Sequence, residues 1–200
     1  MPSSVRVTNP PSLHPKTARQ IVGLAFMGLI SSWEQCLERS LVRYLAGAAT
    51  RSGYRPSLKH GQADSIAHAY EVLSLDPSYR PANSYLKVSD PSWTRNRSDF
   101  FFRRHPYGCL QNSADLIKHG NKIRNRVAHD STKCKSDFKA TCIHFLQPAN
   151  DQLSQGYSPG DLLLAPVERH FGQGAIQRQI SHFKAYTERL TSLADNIVPR

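Results

Sequence analysis

The strongest constraint on the fold of this 200-residue chain is a run of large apolar residues, spaced by three and four positions, between Thr17 and Ala46. The members of this run are Val22, Phe26, Leu29, Trp33, Leu37, Leu41 and Tyr44. Such spacing places the side chains on one face of an α-helix, and Gly47 is typical of the position just after a helix. The run therefore predicts one long helix that buries its apolar face against other elements.

The rest of the chain shows helical spacing in several shorter segments and no alternation typical of a β-strand. Helices are predicted over residues 63–75, 112–130, 137–147 and 175–197, with a short one at about 97–103 in an otherwise loop-like interval. Residues 1–14, rich in proline and serine, predict a flexible arm, and residues 15–198 predict one helical domain. We therefore expect an all-α, up-and-down bundle of four or five helices with long loops.

The chain carries a large excess of positive charge. It has 26 Lys and Arg against 15 Asp and Glu, a formal net charge of +11 at pH 7. Such an excess favours attraction to polyanions such as nucleic acid or an anionic membrane surface. A soluble protein that is merely basic is the alternative that charge alone leaves open.

The cysteines and the first apolar run bear on cofactors and location. No two of the four cysteines have CxxC spacing, and Cys134, Cys142 and His144 form only a weak candidate for a zinc site. We therefore expect reduced thiols in a cytoplasmic protein that uses no metal and no other cofactor.

The apolar stretch at residues 21–30 is too short to span a membrane and continues into the long amphipathic helix, so we expect no membrane partner.

The chemistry-bearing candidates are Arg124 and His129, near the end of the helix predicted over residues 112–130. An arginine can hold a phosphate and stabilise charge that develops on it, while histidine suits proton transfer near neutral pH. On an ideal helix the two side chains diverge by about 140°. Either the helix unwinds before His129, or a second copy of the chain completes the site about a two-fold axis.

The same helical projection assigns a buried and a polar face to this helix. Leu116, Gly120, Ile123 and Val127 form the predicted buried stripe, with Gly120 allowing a neighbour to approach closely. The polar face collects Lys118, Asn121, Lys122, Asn125 and His129. His129 is therefore expected to point away from the core of its own chain.

The segment Arg124-Asn125-Arg126-Val127-Ala128-His129 resembles the Arg-x4-6-His motif of the HEPN superfamily (higher eukaryotes and prokaryotes nucleotide-binding domains). The similarity extends, as a weaker pattern, over most of residues 20–197 and is nearest to the RiboL-PSP-HEPN and related nuclease-like families. Its other residues are Ser32, Trp33, Glu34 and Leu37, then Arg43, Tyr44 and Leu45, and Ser158 to Leu162. The resemblance implies a HEPN-like helical bundle that forms a two-fold homodimer with two motifs at one cleft.

Many members of this superfamily are metal-independent endoribonucleases, and the resemblance implies roles for three residues. Arg124 would bind the scissile phosphate, His129 would move a proton, and Asn125 would orient His129 or contact RNA. The expected products carry a 2′,3′-cyclic phosphate and a free 5′-hydroxyl, which requires the 2′-hydroxyl of RNA. The resemblance also implies a toxin or antiphage defence role with an antitoxin or regulatory protein as partner. The alternative is a noncatalytic HEPN module for RNA binding or dimerisation.

Basic residues surround the motif, with few acidic residues between them. The candidate RNA-binding residues are Lys118, Lys122, Arg126, Lys133 and Lys135. They can attract an RNA backbone, although an ordinary solvated basic face is an equal alternative. The aromatic and arginine-rich segment at residues 93–104 is interpreted as core packing, and Glu34 as structural, with an approach of Glu34 to the site as the second possibility.

Overall fold

The computed structural model describes residues 13–200, and within that range the chain is mostly helical, with eight α-helices. The helices are α1 (Pro15–Leu45), α2 (Ile66–Ser74), α3 (Pro91–Phe101), α4 (Ala114–Ala128), α5 (Thr132–Leu146), α6 (Pro159–Leu164), α7 (Gln173–Gln177) and α8 (His182–Ile197). Two short strands, β1 (Ser57–Leu58) and β2 (Phe102–Arg104), pair antiparallel, and 3-10 turns cover Pro106–Ser113 and Ala149–Asp151. No helix in the described range is long and apolar enough to cross a membrane.

The expected all-α class agrees with this helical content, but the number of helices was wrong. The expectation of four or five missed short helices in segments that resemble loops, because an element of five or six residues has no measurable periodicity. For example, α6 begins with a capping box in which the side chains of Ser158 and Asp161 each accept a backbone N–H of the other residue. The predicted last helix is two helices, because Gln179 takes a left-handed backbone (φ 48°) and Ser181 caps α8.

Helix α1 passes through the centre of the molecule and packs against α4, α6 and α8. Its core face includes Phe26, Ile30, Trp33, Leu37 and Leu41, all buried. Full burial of a large apolar side chain stabilises the fold by about 1.5–3 kcal/mol, so this face accounts for much of the stability. Of the arm predicted over residues 1–14, residues 1–12 lie outside the described range.

Two glycines set the position of α4 on α1. A Cβ at Gly120 would lie 3.2 Å from both Ile30 Cδ1 and Tyr186 Cε1, so α4 approaches α1 and α8 closely there. Likewise, a Cβ at Gly23 would lie 3.4 Å from Val127 Cγ2. Because residue numbers rise along α4 as they fall along α1, the two helices run antiparallel.

The buried stripe of α4 differs from the predicted one by one position. Ile117, Gly120 and Ile123 are buried, whereas Leu116 and Val127 are only partly buried. The difference arises because α4 packs against both α1 and α5, so that its buried side follows the direction of these two neighbours rather than the average direction of its apolar residues.

Candidate functional site

Arg124 extends from α4 to α1, where it pairs with Glu34. Its Nη2 donates a hydrogen bond of 2.8 Å to Glu34 Oε1, and the side chains are 27% and 21% exposed. The Nε–H of Arg124 is buried and has no acceptor within residues 13–200. Glu34 thus approaches Arg124, and as the partner of a largely buried charge it also has a structural role.

A cavity of about 460 Å³ adjoins this ion pair. Its walls are the part of α1 around Glu34 and the loop that precedes α3. The lining residues are Ser31, Glu34, Gln35, Glu38, Tyr85, Leu86, Val88, Ser89 and Arg124. Arg124 is the one cation among them and Glu34 and Glu38 are carboxylates, so the guanidinium is the only charged group of this lining that attracts an anion.

His129 lies just beyond α4, which ends at Ala128. Its backbone is extended (φ −138°, ψ 142°), and its amide donates to Asn125 O at 2.8 Å. Arg126 Nη1 also donates to the carbonyl oxygen of His129, at 3.2 Å. The helix thus ends before His129, which is the first of the two possibilities that the spacing left open, and the residue itself is exposed.

Cations surround the turn that follows His129. Arg126 Nη1 and Lys135 Nζ each lie 2.9 Å from a different oxygen of Asp130. Hydrogen bonding from Lys135 and the charges of Lys135 and Arg126 lower the pKa of the Asp130 carboxyl. Two cations thus flank one carboxylate, and the exposed Lys133 adds a third positive charge, so the turn keeps an excess of positive charge.

The predicted RNA-binding residues fall into two groups. Arg126, Lys133 and Lys135 lie at the end of α4 or the start of α5, beside the turn that holds His129. Lys118 precedes His129 by 11 positions, about 16 Å along a helix, and lies 3.9 Å from Asp115. Lys122 is half-buried, and its charge contributes to a lowered pKa of His119 on α4. The structure therefore does not gather all five residues at one place.

Arg124 and His129 make no hydrogen bond to each other in the described part of the chain. Arg124 adjoins the cavity beside Glu34, whereas Arg126 lines a second cleft of about 790 Å³. The lining residues of this second cleft are Lys16, Arg19, Gln20, Gly23, Leu24, Arg126, Val127, Gly156, Ser158, Pro159 and Gly160. One chain alone thus leaves the arginine and histidine of the motif with different surroundings.

The second cleft was missed at the level of sequence. Lys16, Gln20 and Gly23 follow one another by four and three positions, so helical spacing alone could have placed them on one side of α1. Lys16 and Gln20 are polar and exposed, as is typical of an ordinary solvated helix face. What the spacing could not show is that the loop before α6 folds back beside them, with Asp161 of α6 pairing with Arg19 at 2.7 Å.

No group of three or more potential metal ligands occurs among residues 13–200. In particular, Cys134, Cys142 and His144 do not form such a group, and burial raises the pKa of the Cys142 thiol to about 12. All four cysteines are free.

Comparisons with protein-family models, with curated proteins and with solved structures gave no match to this chain. Function must therefore be inferred from the residues of the site themselves.

Proposed function

We propose that this protein is a metal-independent endoribonuclease of the HEPN type, with Arg124 and His129 as its catalytic residues in a homodimer. The observation that carries the proposal is the state of the Arg124 guanidinium. Glu34 holds one of its nitrogens at the edge of a cavity, while its buried Nε–H has no acceptor among the described residues. A charged donor that is buried without an acceptor costs free energy, and a phosphate oxygen is a suitable acceptor.

The reaction that we propose begins with attack of a 2′-hydroxyl on the adjacent phosphorus. The O2′–P bond forms, the P–O5′ bond breaks, and the products carry a 2′,3′-cyclic phosphate and a 5′-hydroxyl. His129 takes the proton from the 2′-hydroxyl or delivers one to the departing 5′-oxygen. Arg124 stabilises the additional negative charge on the phosphate oxygens. A dimer holds two histidines, so that one can serve as the base and the other as the acid.

Residues around His129 support a polyanionic substrate. Arg126, Lys133 and Lys135 surround the exposed turn, and the whole chain carries a formal charge of +11. Lysine and arginine beside a cleft attract a phosphate backbone, and this attraction weakens as salt rises. The His129 amide donates to the backbone carbonyl of residue 125, which fixes the position of His129 at the helix end.

The direct test is incubation of the purified protein with structured RNA in excess EDTA. We expect cleavage, with new ends that carry a cyclic phosphate and a 5′-hydroxyl, and we expect DNA of the same sequence to remain intact. The Arg124→Ala and His129→Ala variants should each lower the rate by at least about 100-fold, the lower range for loss of a proton-transfer group or a charge-stabilising donor. The His60→Ala variant removes an exposed histidine far along the chain and should cleave like the wild type.

A noncatalytic RNA-binding module is the second candidate, and the separate surroundings of Arg124 and of the motif residue Arg126 in the single chain favour it. In that case wild-type protein would leave RNA intact, while Arg124→Ala would still weaken RNA binding in a filter-binding assay. Cleavage that disappears with EDTA, or that survives in His129→Ala, would contradict the proposed mechanism. Unchanged RNA affinity in both variants would contradict any role of the motif in RNA binding.

A further inference from the structure

The cavity beside Arg124 has walls that a phosphate does not use. On α1, Glu34 and Glu38 are four residues apart and therefore neighbours on one side of the helix. On the loop before α3, Leu86 is buried, whereas Tyr85 is 84% exposed. The two carboxylates repel a second phosphate, so the rest of the cavity favours an uncharged group attached to the phosphate that Arg124 attracts.

The carboxylate of Glu38 is held in place and has no cation beside it. The hydroxyl of Tyr70 donates a hydrogen bond of 2.7 Å to Glu38 Oε1, and Tyr70 stacks on Tyr79 at a ring-centroid distance of 5.6 Å. Glu38 takes part in no ion pair among residues 13–200. A carboxylate can accept about four hydrogen bonds, so Glu38 keeps most of its capacity for the N–H donors of a ligand.

Tyr85 adds an aromatic ring to the opposite wall of the cavity. It is the most exposed large hydrophobic residue in the described part of the chain. An exposed aromatic ring beside a cavity can stack on a planar ligand, and every nucleobase has such a face. The volume of about 460 Å³ lies within the range of about 300–1,000 Å³ that is usual for small-molecule sites.

We propose that this cavity binds a guanine base, with Glu38 accepting its N–H groups and Tyr85 stacked on its ring. The N1–H and N2 amino groups of guanine are adjacent donors, which match the two oxygens of one carboxylate. Adenine and cytosine instead place an acceptor nitrogen beside their amino group, and uracil flanks its N3–H with carbonyl oxygens. Each of these would set a lone pair against Glu38. The proposal deepens the proposed function and rests on it for the identity of the ligand as RNA.

The first test is the affinity of the purified protein for nucleoside monophosphates, measured by isothermal titration calorimetry with the 3′ and 5′ isomers of each base. At least one guanosine isomer should bind about tenfold or more tightly than its adenosine, cytidine and uridine counterparts, the discrimination expected of a bidentate contact. Inosine monophosphate lacks the N2 amino group and should bind more weakly than guanosine monophosphate. Equal affinity for the four bases, or no binding at millimolar concentration, would overturn the proposal.

Glu38→Gln tests the base contact with little change in shape. The amide presents one acceptor and one donor, which match the amino group and adjacent acceptor nitrogen of adenine or cytosine. The variant should lose the preference for guanosine, and the adenosine and cytidine forms should gain relative to it. Glu168→Gln, at an exposed carboxylate between α6 and α7, is the matched control and should keep the preference. A guanosine preference that is unchanged in Glu38→Gln would contradict the role of Glu38.

Two further variants separate stacking from phosphate binding. Tyr85→Ala should weaken all four monophosphates by at least about fivefold, because stacking depends little on the identity of the base. Phe100→Ala removes a ring that is 56% exposed on α3 and should bind like the wild type. Arg124→Ala should weaken every monophosphate but leave the affinity for guanosine, which has no phosphate, unchanged. Wild-type affinities in Tyr85→Ala would contradict the stacking role.

These measurements distinguish failure of the guanine site from failure of the ribonuclease. A protein that prefers guanosine monophosphate but leaves RNA intact contradicts the ribonuclease and keeps the guanine site. Cleavage spread evenly over all sequences, together with equal affinity for the four bases, does the reverse. If both proposals hold, the new RNA ends should lie next to guanosine, and Glu38→Gln should move them while cleavage in excess EDTA persists.

Discussion

At the scale of single residues, the pairing of Arg124 with Glu34 decides which donors of the guanidinium remain for a ligand. An arginine has five N–H groups, and Glu34 accepts from one nitrogen at 2.8 Å. The carboxylate therefore holds the Arg124 side chain in place but leaves its Nε–H without an acceptor among the described residues. Both side chains are about three-quarters shielded from solvent. Removing one of the two charges therefore destabilises the protein more than it would in an exposed ion pair.

The Glu34→Ala variant should lower the free energy of unfolding by about 1–3 kcal/mol, because it leaves a charged donor largely buried without its acceptor. Glu34→Gln should lose less, since the amide oxygen still accepts the hydrogen bond. Urea denaturation followed by circular dichroism measures both.

Glu188→Gln provides the matched control, because it removes the charge from an exposed pair with Arg178. We expect it to change stability little, since solvent screens exposed ion pairs. Equal losses in Glu34→Gln and Glu188→Gln would show that burial adds nothing to the pair with Arg124.

At the scale of helices, close packing around α1 depends on small residues where two backbones meet. Gly160 of α6 is the tightest case, since a Cβ there would collide with the backbone of Arg19. The neighbouring Leu162 and Leu163 are fully buried, and Asp161 pairs with Arg19. This short helix is therefore fixed to α1 by shape, by apolar burial and by charge together.

Gly160→Ala should destabilise the protein by about 1–3 kcal/mol. The added Cβ would clash with backbone atoms of Arg19, which cannot change rotamer as a side chain could. Thermal unfolding of this variant and of Gly174→Ala makes the comparison. Gly174 lies in α7 with no described atom within 4 Å of an added Cβ, so its alanine variant should match the wild type or exceed it slightly. A Gly160→Ala variant as stable as wild type would mean that α6 can move away from α1 at little cost.

The elements differ in how well sequence predicted them, and length is the reason. Helix α1 begins and ends within two residues of its prediction because seven apolar residues repeat over its length. By contrast, β1 depends on its pairing with the distant β2, and α6 has a local capping box but too few residues to show a period. At the site, the position of Arg124 and His129 near a helix end was predictable, whereas the cavity beside Arg124 needed the loop around Tyr85, which has no such pattern.

At the scale of the whole molecule, a stack of histidines joins three parts of the chain. The ring of His144 on α5 lies between those of His119 on α4 and His170 in the loop before α7, with centroid distances of 4.2 and 4.1 Å. His119 Nδ1 lies 3.0 Å from Thr141 Oγ1, and His170 Nε2 donates to the carbonyl oxygen of His144. The buried Phe145 contacts all three rings. Charging one ring thus affects packing among several elements.

Stability should therefore fall as pH falls from about 6.5 towards 4. Burial, with smaller contributions from the charges of His144 and Lys122 and with Asp115 opposing them, lowers the pKa of His119 to about 4. Because the unfolded chain binds this proton near pH 6.5, it takes up protons in an interval where the folded chain does not. We expect a loss of about 1–2 kcal/mol across this interval, after allowance for the partial exposure of His119.

Urea midpoints at pH 7.5, 6, 5 and 4.5 measure this dependence. His119→Gln cannot be protonated and keeps a donor near Thr141, so its midpoint should vary less over the same range. The remaining slope reports on His144 and His182, whose pKa values burial also lowers. An identical slope in the variant would show that His119 is not the group that titrates.

The extended backbone of His129 has a consequence for the spacing of the motif. Within a continuous helix, each added residue would turn the histidine by about 100° and carry it away from any fixed partner. Because α4 includes residues 125–128 and stops at Ala128, only a residue inserted between Ala128 and His129 would lengthen the motif without rotating the helix. The family pattern that this segment resembles tolerates four to six intervening residues. A histidine just beyond the helix end, rather than on the helix, therefore allows a longer spacing from Arg124 at this one point of the chain.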